Sequence, residues 1–112
     1  MRSLDEHETA QSMTYIKVKW LHHGLNEPIW LLSELGAYRW ERRKIEIFAD
    51  GFQGYASDTE QIGGTLLGEA PIPPLAEIAA DPQFAPQEIT EEEFEAAWRT
   101  RGIRAASASL PG

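Results

Sequence analysis

Two adjacent histidines and two carboxylates are the residues whose types first suggest a metal site. His22 and His23, together with Glu34 or Asp50, could in principle bind a transition metal. Successive side chains of a strand point to opposite faces of a sheet, so adjacent histidines cannot share one ion unless the backbone bends. Known metal motifs space their ligands so that they converge, as two histidines four residues apart on a helix do. The spacing therefore indicates polar side chains at a strand end, and we predict no metal site.

Glu34 follows an apolar run, a setting in which a carboxylate can become a general acid or base. Three arginines, Arg39, Arg42 and Arg43, follow it closely along the chain. An ion pair with one of them is the commoner arrangement for a buried carboxylate. The serines show no Gly-x-Ser-x-Gly motif of the kind that presents a nucleophile. The sequence therefore predicts neither catalytic residues nor a cofactor.

The acidic residues are concentrated in one part of the chain. Between Asp58 and Glu95 there are ten carboxylates and no lysine or arginine, whereas residues 15–57 are nearly balanced in charge. A formal net charge of -8 and a pI near 4.8 make nucleic-acid binding improbable on electrostatic grounds. Clustered negative charge steers a cationic partner towards a protein, although acidic helices also simply keep proteins in solution. Both explanations stay open.

If the block is a docking surface, some of its carboxylates are better candidates than others. Glu93 is expected to close a capping box at the start of a helix, which would occupy its side chain. Glu92 and Glu95 would then face outward from the same helix. The predicted partner-binding residues are Asp58, Glu60, Glu88, Glu92 and Glu95.

Length and composition describe one folded domain. A chain of 112 residues with 42% hydrophobic residues and four tryptophans can bury one core. There is no cysteine and no apolar run of about 18 residues, so we expect no disulfide, no thiolate chemistry and no membrane segment. Residues 1–12 are predicted to be a disordered leader, 13–104 the domain and 105–112 a disordered tail. We expect a cytoplasmic monomer or homodimer.

Alternation of apolar and polar residues predicts most of the sheet. Residues 15–22 alternate as a half-buried strand does. Residues 28–35 fit either a short helix or a buried strand, and we favour the strand because eight residues make a marginal helix. Residues 41–57 predict a hairpin with Asp50 and Gly51 as the central residues of a type I′ turn. That register would pair Ile45 with Ala56 and bury both on one face.

Two helices are predicted after the strands. Pro74 is well placed as the first residue of a short helix. Thr90 should cap a second helix whose Phe94 and Trp98 lie on one face and dock on the sheet. The predicted fold class is therefore α+β, an antiparallel meander of about four strands with both short C-terminal helices packed on one face.

Several motifs resemble a family of small bacterial single-domain proteins known only as a domain of unknown function. They are YIKVKW at residues 15–20, RWERRK at 39–44, DGFQGYA at 50–56, PIP at 71–73 and EEF at 92–94. The resemblance covers about residues 13–99 and implies no catalytic residue. Members of this family are similar in size and charge to immunity proteins, which protect a bacterium from its own secreted toxins. The resemblance thus implies a binding protein.

Three functions follow from these observations. The first is a non-enzymatic immunity or antitoxin protein that occludes a cationic toxin or effector. The second is a small enzyme or ligand-binding protein that uses the sheet face around Trp30, Glu34 and Tyr55. The third is an accessory protein that buries exposed tryptophans against a second copy of itself.

Overall fold

Six antiparallel strands form a single sheet in the part of the chain that the structure describes, which is residues 13–22, 24 and 26–102 of this computed structural model. The strands are β1 (Thr14–Trp20), β2 (Trp30–Leu35), β3 (Glu41–Ile47), β4 (Gln53–Ala56), β5 (Gln61–Ile62) and β6 (Phe84–Ile89). Their order across the sheet is β5-β4-β3-β2-β1-β6. Two α-helices complete the fold, α1 (Leu75–Ala79) before β6 and α2 (Glu91–Arg99) after it. The predicted leader and tail lie outside the described residues.

The first five strands form the expected meander, and the prediction of about four strands missed both edges of the sheet. Residues 28–35 do contain a strand, β2, which pairs with β1 and β3. β5 is only two residues long. β6 contains Pro86, which pairs with Val18 of β1. Since β6 has a partner on one side only, a proline that cannot donate a hydrogen bond is tolerated there.

The hairpin of β3 and β4 exists, but its predicted register is wrong by one residue. Ile45 pairs with Tyr55 instead of Ala56. The Phe48 carbonyl accepts a hydrogen bond from Gly51 N (2.9 Å), and of the two predicted turn residues only Gly51 has a positive φ (90°). This pattern matches a three-residue hairpin loop, in which a type I turn is followed by a glycine in the left-handed conformation. The predicted type I′ turn does not fit, because it would need a positive φ at both central residues.

The register decides which side chains share a face. A slip of one residue moves every side chain of a strand to the other side of the sheet. Tyr55 therefore lies with Ile45 beneath α2, where the predicted register would have placed Ala56. Gly54 and Ala56 lie on the opposite side with Glu46 and Lys44.

The two helices cover opposite faces of the sheet, which corrects the prediction that both would pack on one face. The α2 face is the side on which Phe94 of α2 packs against the buried Tyr15, Leu32, Ile45 and Ile89. The α1 face is the side on which Leu75 and Ile78 of α1, with Ile72 and Phe84, pack against the buried Ile16, Val18 and Leu35. β1 carries large apolar residues at successive positions, so both of its faces need a cover.

The helix termini follow the local signals closely. Thr90 is the N-cap of α2, and its Oγ1 accepts a hydrogen bond from Glu93 N at 3.1 Å. Pro74 is the N-cap residue of α1, so the helix begins at Leu75, one position after the predicted start. Neither helix of the described residues is long and apolar enough to cross a membrane.

Candidate functional site

A buried carboxylate, Glu34, lies at the centre of a polar network on the α2 face. Register places Tyr15, Glu34 and Arg43 side by side on three adjacent strands. The Tyr15 hydroxyl donates to Glu34 Oε2 at 3.1 Å. Arg43 donates from Nε to Oε1 and from Nη2 to Oε2, each at 2.7 Å. Such a two-point arginine–carboxylate pair fixes the orientation of both planar groups.

Arg43 is also held by α2. Glu95 Oε1 accepts a hydrogen bond from Arg43 Nη1 at 3.2 Å, and its second oxygen accepts one from Nη2. The guanidinium carbon lies 5.0 Å from the ring centroids of both Phe94 and Trp98. A single arginine therefore joins the sheet to the helix through charge, hydrogen bonds and ring contacts.

The network shifts the pKa values of Tyr15, Glu34 and Arg43. Burial would raise the pKa of Glu34, but the hydrogen bonds and charge of Arg43, with the Tyr15 hydroxyl and the charge of Arg42, hold that pKa below its ordinary value. Burial, together with the charge and hydrogen bond of Glu34, raises the pKa of Tyr15 to about 12. The hydrogen bond to Glu34 raises the pKa of Arg43 despite its burial. A general acid or base needs a pKa near the working pH, so this arrangement suits a structural role for Glu34.

A polar cavity of about 550 Å³ opens beside this network. Asp58 and Glu60 of the β4–β5 connection line it, together with Glu34, Arg42, Trp98 and Arg101. Arg101 pairs with Glu60 at 3.2 Å and stacks on Trp98, with the guanidinium carbon 4.1 Å from the ring centroid. Positive and negative side chains thus alternate around the cavity instead of forming a surface of one sign.

The predicted partner-binding residues do not form one surface. Asp58 and Glu60 line the cavity, and Glu95 is bonded to Arg43 beside it, so the expectation that Glu95 faces outward is wrong. Glu88 and Glu92 are exposed near the junction of β6 and α2, at the other end of the helix.

The Glu93 carboxylate also differs from its predicted role. It pairs with Lys17 Nζ at 3.0 Å, while Thr90 supplies the cap through its own side chain. Three carboxylates of the acidic block are therefore neutralised by described bases: Glu60, Glu93 and Glu95. The sequence did not indicate these pairs, since each joins residues at least 41 positions apart.

The residues of the alternative site, Trp30, Glu34 and Tyr55, have different surroundings on the α2 face, where Trp30 and Tyr55 pack against the buried core. Glu34 lines the 550 Å³ cavity, but the described lining includes neither Trp30 nor Tyr55. Trp30 lies near the far end of β2, where Lys17 Nζ and Lys19 Nζ approach its ring centroid to 5.0 and 5.5 Å. The expected pairing of Glu34 with one of three arginines is confirmed, and the partner is Arg43.

His22 has both ring nitrogens occupied. Nδ1 accepts a hydrogen bond from Gly24 N at 2.9 Å, so Nε2 carries the proton that bonds the Pro28 carbonyl at 2.8 Å. His23 lies outside the described residues. Within residues 13–22, 24 and 26–102, no three histidine, aspartate or glutamate side chains are grouped so that they could hold a metal ion.

Comparison with known proteins identifies the family. A family model described as "Domain of unknown function (DUF6881)" matches residues 14–103. The chain belongs to the DUF6881 family. This match confirms the resemblance to a family of unknown function, and it spans the whole sheet and both helices. No curated protein and no solved structure matches this DUF6881 member.

Proposed function

We propose that this chain is a non-enzymatic protein-binding module, an immunity or antitoxin protein that occludes a basic toxin or effector. The observation that carries the proposal is a set of exposed carboxylates in the acidic block that have no hydrogen bond or ion pair with any described residue. They are Asp58, Glu69, Glu77, Glu88, Glu91 and Glu92. Negative charge that the fold does not use internally is available to a partner.

Five of the eight lysines and arginines among the described residues have hydrogen-bond or ion-pair partners within the molecule. Arg43, Lys44 and Arg101 each pair with a carboxylate, as does Lys17. The Arg39 guanidinium donates to two backbone carbonyls. The field outside the protein is therefore dominated by the unpaired acids, which favours a cationic partner.

Three of the unpaired acids lie close together in the chain and form what we call the acidic corner: Glu88, Glu91 and Glu92. Part of their role is local, because carboxylates in the first turn of a helix interact favourably with its dipole. Glu88 precedes the helix and lies on β6, where the dipole does not account for it. The acidic corner is the best candidate for the first encounter with a basic surface, and it retains two of the five predicted contact residues.

In this mechanism the acids accelerate encounter and the complex then covers the partner's functional groove. Complementary charge mainly raises association rates and gives them a strong dependence on salt, while a few central apolar contacts supply most of the affinity. Replacement of one rim charge should therefore change the association rate more than the dissociation rate.

The test begins in the genome, where we expect a toxin-like reading frame next to the one for this chain. Its product is then expressed alone and together with this chain. Co-expression should restore growth, and association of the two purified proteins should slow as salt is added. Glu92→Lys should slow association about threefold to tenfold at low salt. Glu27→Lys is the matched control, because Glu27 is exposed and follows the end of β1 opposite to the acidic corner. The proposal would be contradicted if Glu92→Lys and Glu27→Lys slowed association equally. It would also be contradicted if co-expression did not restore growth, or if the association rate did not change with salt concentration.

A further inference from the structure

A second cavity lies on the α1 face, between α1 and the sheet. Its volume is about 270 Å³, and its walls are mainly apolar. These walls are formed by Ile16, Val18, Leu31, Ile72, Ile78 and Phe84. At one side the lining becomes polar, where Ser33, Glu41 and Lys44 are neighbours across β2 and β3.

The cavity exists because its cover is short. α1 has five residues, and each of them is at least partly exposed. Protein interiors rarely leave apolar voids larger than a water molecule, whereas a dry cavity of about 150 Å³ is enough to hold benzene. The space under α1 is open to solvent on one side, and its volume of about 270 Å³ and its apolar walls make it large enough to hold a small molecule.

One wall is held in place by Arg39. Its Nε donates to the Ile72 carbonyl at 2.7 Å and its Nη2 to the Pro73 carbonyl at 2.9 Å, while Ile72 N donates to the Arg39 carbonyl at 2.8 Å. Arg39 itself has a φ of 65°, a conformation that costs free energy in residues other than glycine. The strained backbone at Arg39 therefore belongs to the segment that holds Ile72 and Pro73 at the side of the cavity.

The polar side is almost fully hydrogen bonded. Glu41 Oε2 accepts from Ser33 Oγ at 2.9 Å, and Oε1 accepts from Gly68 N at 2.7 Å and lies 3.3 Å from Lys44 Nζ. Lys44 Nζ also donates to the Leu66 carbonyl at 3.0 Å. An ammonium group has three hydrogens, so one of them has no acceptor among the residues that the structure describes.

The charge at this polar side is already balanced. The Glu41 side chain is 2% exposed and that of Lys44 is 14% exposed, and the two form an ion pair. An anionic ligand would bring a second negative charge beside Glu41 in a poorly solvated site, which is costly. A neutral acceptor can take the remaining Lys44 hydrogen without adding charge.

We propose that the cavity between α1 and the sheet binds a small neutral molecule, apolar and about the size of a substituted benzene, with one carbonyl oxygen that accepts a hydrogen bond from Lys44. The apolar walls bury the body of the ligand, and the single polar contact orients it. The described lining includes no residue of the acidic corner, although Glu88 pairs across the sheet with Ile16, which does line the cavity. The two proposals are therefore tested with different variants.

Three probes of similar size test the chemistry on the full chain. Acetophenone is neutral with one carbonyl, ethylbenzene lacks the acceptor, and benzoate carries a charge. Titrations followed by methyl NMR should show saturable shifts at Ile16, Ile72 and Ile78 with roughly millimolar affinity for acetophenone. Ethylbenzene should bind about fivefold more weakly, as expected for the loss of one hydrogen bond, and benzoate should bind most weakly. Equal binding of acetophenone and ethylbenzene would overturn the role of Lys44, and tighter binding of benzoate would overturn the neutral class.

A pair of variants locates the site. Ile78→Phe adds a ring at the cavity wall and should weaken acetophenone binding at least about tenfold by filling the space. Ile62→Phe makes the same change at an exposed position of β5 and should leave binding unchanged. Should Ile78→Phe fail to fold, Leu31→Phe fills the same cavity from β2. Unchanged binding in a folded cavity-filling variant, or shifts spread over residues that do not line the cavity, would refute the site.

Discussion

The α2 face and the α1 face of the sheet are covered by helices of nine and five residues. Under α2 the rings of Tyr15, Phe94 and Trp98 lie in contact, and Arg43 closes the polar part of the interface with four hydrogen bonds. Under α1 the contacts are mainly aliphatic, and a cavity of about 270 Å³ remains. Beside the network on the α2 face the cavity of about 550 Å³ is polar, whereas the smaller cavity under the short helix has mainly apolar walls.

The difference between the two covers suggests a division of roles, with the α2 face contributing mainly to stability and the α1 face to ligand binding. A fully satisfied polar network fixes one arrangement and offers no free group for chemistry. A cover of one turn and a half buries less apolar surface per residue, so it contributes less to stability and leaves space. We therefore expect substitutions on the α2 face to affect unfolding and those on the α1 face to affect ligand binding.

The largest expected contrast is between matched truncations on the two faces. Phe94→Ala should lower the free energy of unfolding by about 3–5 kcal/mol, because Phe94 is fully buried. Leu75→Ala should lower it by only about 1–2 kcal/mol, since Leu75 is half-buried on α1. Chemical denaturation of both variants measures the difference, and equal losses would remove the distinction between the faces.

Removal of the Arg43 charge tests the polar network, and methionine keeps an apolar side chain beside Phe94 and Trp98. Arg43→Met should cost about 3 kcal/mol, because it leaves the Glu34 carboxylate buried without a counter-charge. Adding Glu34→Gln to this variant should restore part of the loss by removing the unpaired charge. A double variant less stable than Arg43→Met would show that the ion pair is not the source of the effect.

The pKa of Tyr15 makes the α2 face sensitive to alkali. The folded protein holds the phenol proton more tightly than the unfolded chain, since the pKa rises from 10.0 to about 12. The resulting stability, about 2–3 kcal/mol, is complete below pH 10 and is lost as the pH rises through 12. Tyr15→Phe should remove this component of the alkaline transition, which unfolding curves recorded from pH 9 to 12 would measure. An unchanged alkaline transition in the variant would contradict it.

The smallest expected effect is that of the helix cap. Thr90→Ala should lower the free energy of unfolding by about 1 kcal/mol, because Glu93 N loses its acceptor. Thr90→Ser keeps a hydroxyl at this position and should be close to neutral. Thermal unfolding of the two variants compares them directly, and a serine variant as unstable as the alanine variant would show that the cap is not responsible.

Local signals predicted the elements better than their arrangement. The cap at Thr90 and the turn at Gly51 follow from chemistry within four residues, and both are present. The predicted type I′ turn and the observed three-residue loop differ in length by one residue, so the predicted pairing of Ile45 with Ala56 was wrong. β6 escaped prediction because Pro86 is typical of a loop unless the strand is known to lie at an edge.

The sequence by itself determined the chemical character of this protein. It places the negative charge in the second half of the chain, excludes cysteine chemistry and specifies the capped helix that carries Phe94. Only the tertiary structure decided which carboxylates remain free and which side of the sheet carries the apolar cavity. The charge distribution and the helix cap depend on residues that are neighbours along the chain. The pairing of Glu95 with Arg43 depends instead on the strand register and on the face that each helix covers. Contacts between distant residues set both the register and the covered face.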